Sequence, residues 1–199
     1  MKEVFICSPE HYTCDQVQLY MAQRCLDPDK QWIYNLIGSR ATVSEVVYID
    51  NAHWMLCEDL HPGRDTRYLI VFKDTLLRTL RELNHGHLAM LTDLQAQVQA
   101  FLLATHPLDS TKFQIFFHYM PSMFQLHAHV SMHASPQQTV RRHHLRHVVS
   151  NITLASTHYK NALILTSSAR SVRVERPACA RLERLTQAHV FQSAQIHCI

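Results

Sequence analysis

Three apolar runs, SEVVYID at 44–50, HWMLCEDL at 53–60 and RYLIVFK at 67–73, follow one another with only short connections between them. Each is rich in the β-branched and aromatic side chains that suit a pleated, half-buried surface. Parallel neighbours need a crossover of a dozen or more residues, so connections this short leave antiparallel pairing. KFQIFFHYM and FQLHAHVSM, parted at Pro121-Ser122, read as two further strands, and NALILTS at 161–167 as another. The segment QWIYNLIG leads into the first of the three runs.

Helical spacing appears in three places. DQVQLYMAQRCL at 15–26 is stopped by the turn signal Asp27-Pro28-Asp29. Asn84 stands where a helix N-cap is wanted, and Leu88, Leu91, Leu94, Val98, Phe101 and Leu102 then recur at steps of three and four, ending near His106-Pro107. QQTVRRHHLRHVV at 137–149 is a histidine-rich helix candidate. The class expected is α+β, an antiparallel sheet flanked by helices. With 47% hydrophobic residues, only three glycines and no Ser/Gly linker, residues 1–199 are read as one domain whose last stretch, 169–199, shows no clear periodicity.

Composition narrows the function classes. A formal charge of +3, from 19 basic against 16 acidic residues, is too slight to argue for duplex nucleic acid as a partner. No run approaches the roughly 18 apolar residues of a membrane span, and the N-terminal MKEVFICSPEHYTC lacks the apolar core of a signal peptide. Six cysteines at irregular intervals, without a CxxC pair, read as reduced thiols of a cytoplasmic or nuclear protein.

The chemistry concentrates in HYMPSMFQLHAHVSMH, which sets four histidines into residues 118–133. On an extended FQLHAHVSM, Gln125, His127, His129 and Ser131 share one face, while Leu126, Ala128 and Val130 enter the core. Three readings compete. His127 and His129 suit zinc, but a third ligand is needed, from His118 or His133, and no thiolate is near. An exposed polar face is the commoner fate of a His-x-His pair. The third is covalent catalysis, in which a neutral imidazole attacks phosphorus while neighbours orient it and protonate the leaving group.

HYMPSMFQLHAHV resembles the active-site segment of the histidine-triad (HIT) superfamily, and within it the scavenger decapping family. The superfamily pattern alternates three histidines with apolar residues; here it stands as Gln125-Leu126-His127-Ala128-His129-Val130-Ser131, with glutamine in the first place. KQWIYNLIG and HHLRHVVSNITLASTHYKNALILTS resemble that family's segments before and after, so the likeness runs in order from about Pro9 to about Ser168. It implies a HIT-like catalytic domain acting as a homodimer, without metal or other cofactor, that hydrolyses 7-methylguanosine cap dinucleotides through a nucleotidyl-histidine. It also implies that the chain begins just before the catalytic domain, lacking the family's N-terminal lid.

Residue by residue, the resemblance makes His127 the nucleophile, has His129 hold the phosphate oxygens or leaving group, and sets Ser122 and His118 near the phosphates. Trp32 becomes the indole that stacks on methylated guanine and Leu60 the apolar residue on its other face. Asp59 becomes a binding aspartate, His61 stands where the family has lysine, and Glu45 is the nearest carboxylate to the family's base-reading glutamate. Arg142 matches an arginine that follows the triad and would steer a phosphate, but a solvated helix surface is the favoured reading of the Arg141-Arg142 pair. Met123 replaces an aromatic residue. Rival readings are a hydrolase of other nucleotides, such as dinucleoside polyphosphates or cyclic nucleotides, and a catalytically silent cap- or nucleotide-binding module.

Overall fold

The computed structural model describes residues 4–38, 46–59, 66–106, 113–132 and 141–167. In chain order these form β1 (Val4–Cys7), α1 (Pro9–Thr13), α2 (Asp15–Cys25), α3 (Gln31–Gly38), β2 (Val47–Asp50), β3 (Trp54–Glu58), β4 (Thr66–Phe72), α4 (Leu88–Thr105), β5 (Gln114–His118), β6 (His127–Ser131), β7 (Arg142–His144), α5 (Leu145–Leu154), α6 (His158–Asn161) and β8 (Ile164–Ser167). Six strands make one antiparallel sheet in the order β2-β3-β4-β6-β5-β7, and β1 pairs with β8 in a second, two-stranded sheet. The α+β class expected from the short connections is what forms.

Side-chain alternation divides the large sheet between two cores. Leu56, Ile70, Phe72, Phe117, Ala128 and Val130 belong to a buried cluster that takes in Leu91, Leu94, Val98 and Leu102 of α4 and Val148 and Ile152 of α5. Met55, Cys57, Leu69 and Val71, the alternate residues of β3 and β4, join a second cluster with Ile33 and Leu36 of α3 and with Met123. The helices thus cover both faces, which is why β6 is buried along its whole length despite its histidines. Ile33 and Leu36, one helical step apart, are 0% and 1% exposed; burying each contributes about 2 kcal/mol.

Some segments that the sequence left unassigned take shape here, and some expectations meet a different outcome. QWIYNLIG forms α3 because Pro28 opens a turn at Pro28–Lys30, capped by the Asp27 carboxylate accepting from Asp29 N, and the helix continues from it. Asn84 caps a short 3-10 turn, His85–His87, that runs directly into α4. Arg141 and Arg142 do not lie on a helix surface. Arg142–His144 is a strand in register with β5 (His118↔Arg142, Phe116↔His144), and α5 begins only at Leu145. Pairing with an existing sheet edge outweighs the helical pattern that the sequence alone shows. NALILTS is a strand from Ile164, but its partner is β1 rather than the large sheet.

Arg81, 4% exposed, ties the small sheet to the rest. Its guanidinium donates to the Tyr119 hydroxyl at 2.6 Å, to Cys7 O at 2.6 Å, to Tyr159 O at 2.9 Å and to Ala162 O at 3.1 Å. The planar five-donor fork meets carbonyls from β1, α6 and the segment before β8 at once, a task that the point charge of lysine does not fit.

Candidate active site

The site face of the sheet is set by register. Leu69 and Val71 of β4 sit opposite His129 and His127, and Phe116 of β5 lies opposite His129 on the other side. The apolar half closed by α3 and the imidazole half therefore share one surface, with Trp32 half-buried against the Ile33–Met123 cluster.

His127 opens β6. Its Nδ1 lies 2.7 Å from Gln125 O. A carbonyl only accepts, so Nδ1 carries the proton and the lone pair of the neutral ring is at Nε2. The Gln125 carboxamide, fully buried, donates to Phe72 O at 2.7 Å and Asp74 O at 3.0 Å. Gln125, counted among the catalytic candidates, thus binds the backbone at the end of β4, and that bracing steadies the carbonyl that fixes the His127 tautomer. Its Oε1 is buried without a hydrogen-bond partner.

His129 stacks on Phe116, with ring centroids 5.6 Å apart and planes 24° from parallel. Its Nδ1 is 3.5 Å from Asp59 Oδ2, both side chains being at most 6% exposed. That separation suits an ion pair but not a hydrogen bond, and Nδ1 has no hydrogen-bond partner of proper geometry. Asp59, expected as a binding aspartate, thus adjoins the second histidine. His118 completes the group, its ring 4.6 Å from that of His129. Burial, and then the positive fields of His129, Arg141, His127 and Arg142, push its pKa down to about 2, so His118 is neutral at any working pH.

Strand alternation put the two imidazoles side by side on one face, for which an exposed polar surface is the commoner fate. Instead His127 is 5% exposed and His129 4%, because β6 lies between β4 and β5 and the segment 119–126 enters beside it. Ser122 on that segment is exposed, and its carbonyl accepts from Arg24 Nη2 at 3.4 Å. Arg24, on α2 and paired with Asp27, was not a candidate; nor was Arg141, which donates to Met120 O. Phe116 was also missed. It carries Arg142 4.5 Å above its ring as well as His129 beside it, and its place two residues before His118 on a strand was the signal. Leu60, His61 and Glu45 lie outside the described residues.

Comparison with known proteins gives this arrangement a lineage. A family model described as "Scavenger mRNA decapping enzyme C-term binding" matches residues 31–149, from the first residue of α3 into α5. Rat "m7GpppX diphosphatase" is 25% identical over 167 residues, covering 79% of this chain and 48% of its own length, and the human protein of that name is 27% identical over 140 residues, covering 65% and 42%. The chain therefore spans less than half the length of these relatives. A crystal structure of the aprataxin ortholog Hnt3 in complex with DNA aligns over 87% of this chain and 92% of its own at 16% identity, with a TM-score of 0.47, a likeness too loose to carry an argument. The family match takes in the histidine strand and every element of the large sheet, and by it the chain belongs to the scavenger mRNA decapping enzyme family, in that family's C-terminal part.

Proposed function

We propose that this chain hydrolyses a 7-methylguanosine cap dinucleotide, with His127 as nucleophile. Nε2 attacks the phosphorus bearing the methylated nucleoside; the N–P bond forms as the P–O bond to the bridging oxygen breaks, and the nucleoside diphosphate departs with a proton supplied beside it. Water then attacks the same phosphorus, the N–P bond breaks and methylguanosine monophosphate leaves. The observation that carries this reading is the 2.7 Å contact from His127 Nδ1 to Gln125 O, which directs the reactive lone pair to Nε2.

His129, with the Asp59 carboxylate behind it and His118 in front, supports the reading as the group that meets the departing oxygen. Trp32 offers an indole face to a base that methylation has made cationic. The near-complete enclosure of His127 favours a second reading, a module that binds the cap and turns nothing over. Hydrolysis of the cap dinucleotide in EDTA separates the two. The first reading expects methylguanosine monophosphate from the wild-type chain and none from His127→Asn; tight binding without product selects the second. Equal turnover of the unmethylated dinucleotide would instead identify a hydrolase of nucleotides in general.

A further inference from the structure

The segment that brings the chain into β6 is held at both ends. Arg141, just before β7, donates to Met120 O at its start. The Gln125 carboxamide on Phe72 O and Asp74 O, and the Leu126 N–H on Leu77 O at 2.7 Å, fasten its end. Between those ends α2 and α3 take hold. Arg24 Nη2 reaches Ser122 O at 3.4 Å, the Tyr34 hydroxyl reaches Phe124 O at 3.5 Å, and the Tyr20 ring meets that of Phe124 edge-on at 5.9 Å. Arg24 precedes the residues that the family model matches.

The fork of Arg24 joins two places at once. Its Nη1 pairs with Asp27 Oδ2 in the corner between α2 and α3, and the other oxygen of that carboxylate accepts from Asp29 N at 3.0 Å. Gln31 Nε2 on Cys25 O at 2.6 Å braces the corner again, immediately before Trp32. Arg24 thus links the turn that starts α3, and so sets Trp32, to the segment whose Gln125 carbonyl fixes the His127 tautomer. Two features separate holding this segment from binding a phosphate directly. The charge of Arg24 is already matched by Asp27, and its Nε is buried without a hydrogen-bond partner, so bonding falls to the two terminal nitrogens. A planar fork spans two acceptors in fixed geometry, which an ammonium on the flexible stem of lysine does not.

We infer that Arg24 is a positioning residue for the proposed reaction. By bridging Asp27 and Ser122 O it fixes the span between Trp32 and His127, so that a substrate seated on the indole presents its phosphorus to Nε2. A misplacement of about 1 Å in such a span costs up to about 100-fold in rate. The inference rests on the proposed function, which supplies the substrate that fills both ends.

In the full chain, Arg24→Gln should lower kcat for the cap dinucleotide about tenfold. The affinity for 7-methylguanosine, which occupies the Trp32 end alone, should stay at its wild-type value in titration calorimetry. Asp27→Asn keeps an oxygen for Asp29 N but loses the ion pair; it should produce the same fall, and the double variant should be no slower than either single one. Arg24→Lys, which keeps the charge and loses the fork, should stay slow. Unchanged kcat in Arg24→Gln, recovery in Arg24→Lys, a wild-type rate in Asp27→Asn, or a nucleoside affinity that falls in step with kcat would each overturn the inference. Asp27→Asn carries the test if Arg24→Gln does not fold. Should the wild-type chain hydrolyse no cap, the proposed function falls alone and binding decides this one. An affinity advantage of the cap dinucleotide over 7-methylguanosine that Arg24→Gln cuts about tenfold upholds the bridge. An advantage absent from the wild type or unchanged by the variant, or no binding of either compound, removes it.

Discussion

The two halves of the site face have the same backbone and opposite chemistry. On β3 and β4 the residues that point to this face are Met55, Cys57, Leu69 and Val71, sealed under Ile33 and Leu36 of α3. On β6 and β5 the equivalent positions are His127, His129, Phe116 and His118. The first half derives its rigidity from apolar packing and supplies a floor for the indole of Trp32. The second packs imidazoles against one another, an arrangement that stability alone does not favour, since like-charged forms crowd and buried polar atoms need partners. β6 thus sets two histidines beside a well-packed apolar neighbour.

Substitutions on the two sides should therefore fail in different ways. Leu36→Ala, in the apolar half, is expected to lower unfolding free energy by about 3 kcal/mol in urea titrations while leaving kcat of the folded fraction unchanged. A large kcat loss at full stability would erase the distinction between the halves. Asp59→Asn, across the divide, should do the reverse. It should reduce kcat by about 100-fold with little change in KM or stability, because the carboxylate stands 3.5 Å from the histidine proposed to meet the departing oxygen. A change confined to KM would return Asp59 to the substrate-binding role read from the sequence.

A smaller effect is expected at the seam between the halves. Trp32→Ala should cut the preference for methylated over unmethylated cap dinucleotide by about tenfold, the worth of one cation–π contact. Because the ratio cancels any general loss of folding, an unchanged ratio would remove the indole from base recognition. The mildest prediction concerns acid. The pKa of His118 is held at about 2 in the folded chain against an ordinary value near 6.5, so the unfolded chain binds the extra proton. Stability is full above about pH 6.5 and is lost as pH falls below it, at up to about 1.4 kcal/mol per unit from this residue. His118→Gln should flatten that slope between about pH 6.5 and pH 5 in thermal melts, and an unaltered slope would show that the ring is not kept neutral.

The same contrast explains what the sequence disclosed. The apolar strands β3 and β4 and the stripe of α4 announced themselves through period and composition, since burial on known faces writes a regular pattern. β1 and β7, of four and three residues, are too short to hold a period, and each owes its existence to a partner far along the chain, β8 and β5. Within the site, the alternation His127-Ala128-His129 placed both rings on one face, but their enclosure depends on β4 and β5 closing from either side. The approach of Asp59 to His129 is likewise a fact of sheet register, since nothing in Glu58-Asp59 identifies a partner seventy residues later. Charge balance hid the most. A single net value concealed that β5, β6, β7, α5 and α6 carry no carboxylate.

In the proposed reaction His127 itself takes the nucleotide. Wild-type chain mixed with cap dinucleotide, quenched in alkali within the first turnover and digested, should yield a peptide containing His127 that carries methylguanylate by mass spectrometry, with no such adduct in His127→Asn. Turnover without any histidine-bound nucleotide, or an adduct that survives in His127→Asn, would contradict the account.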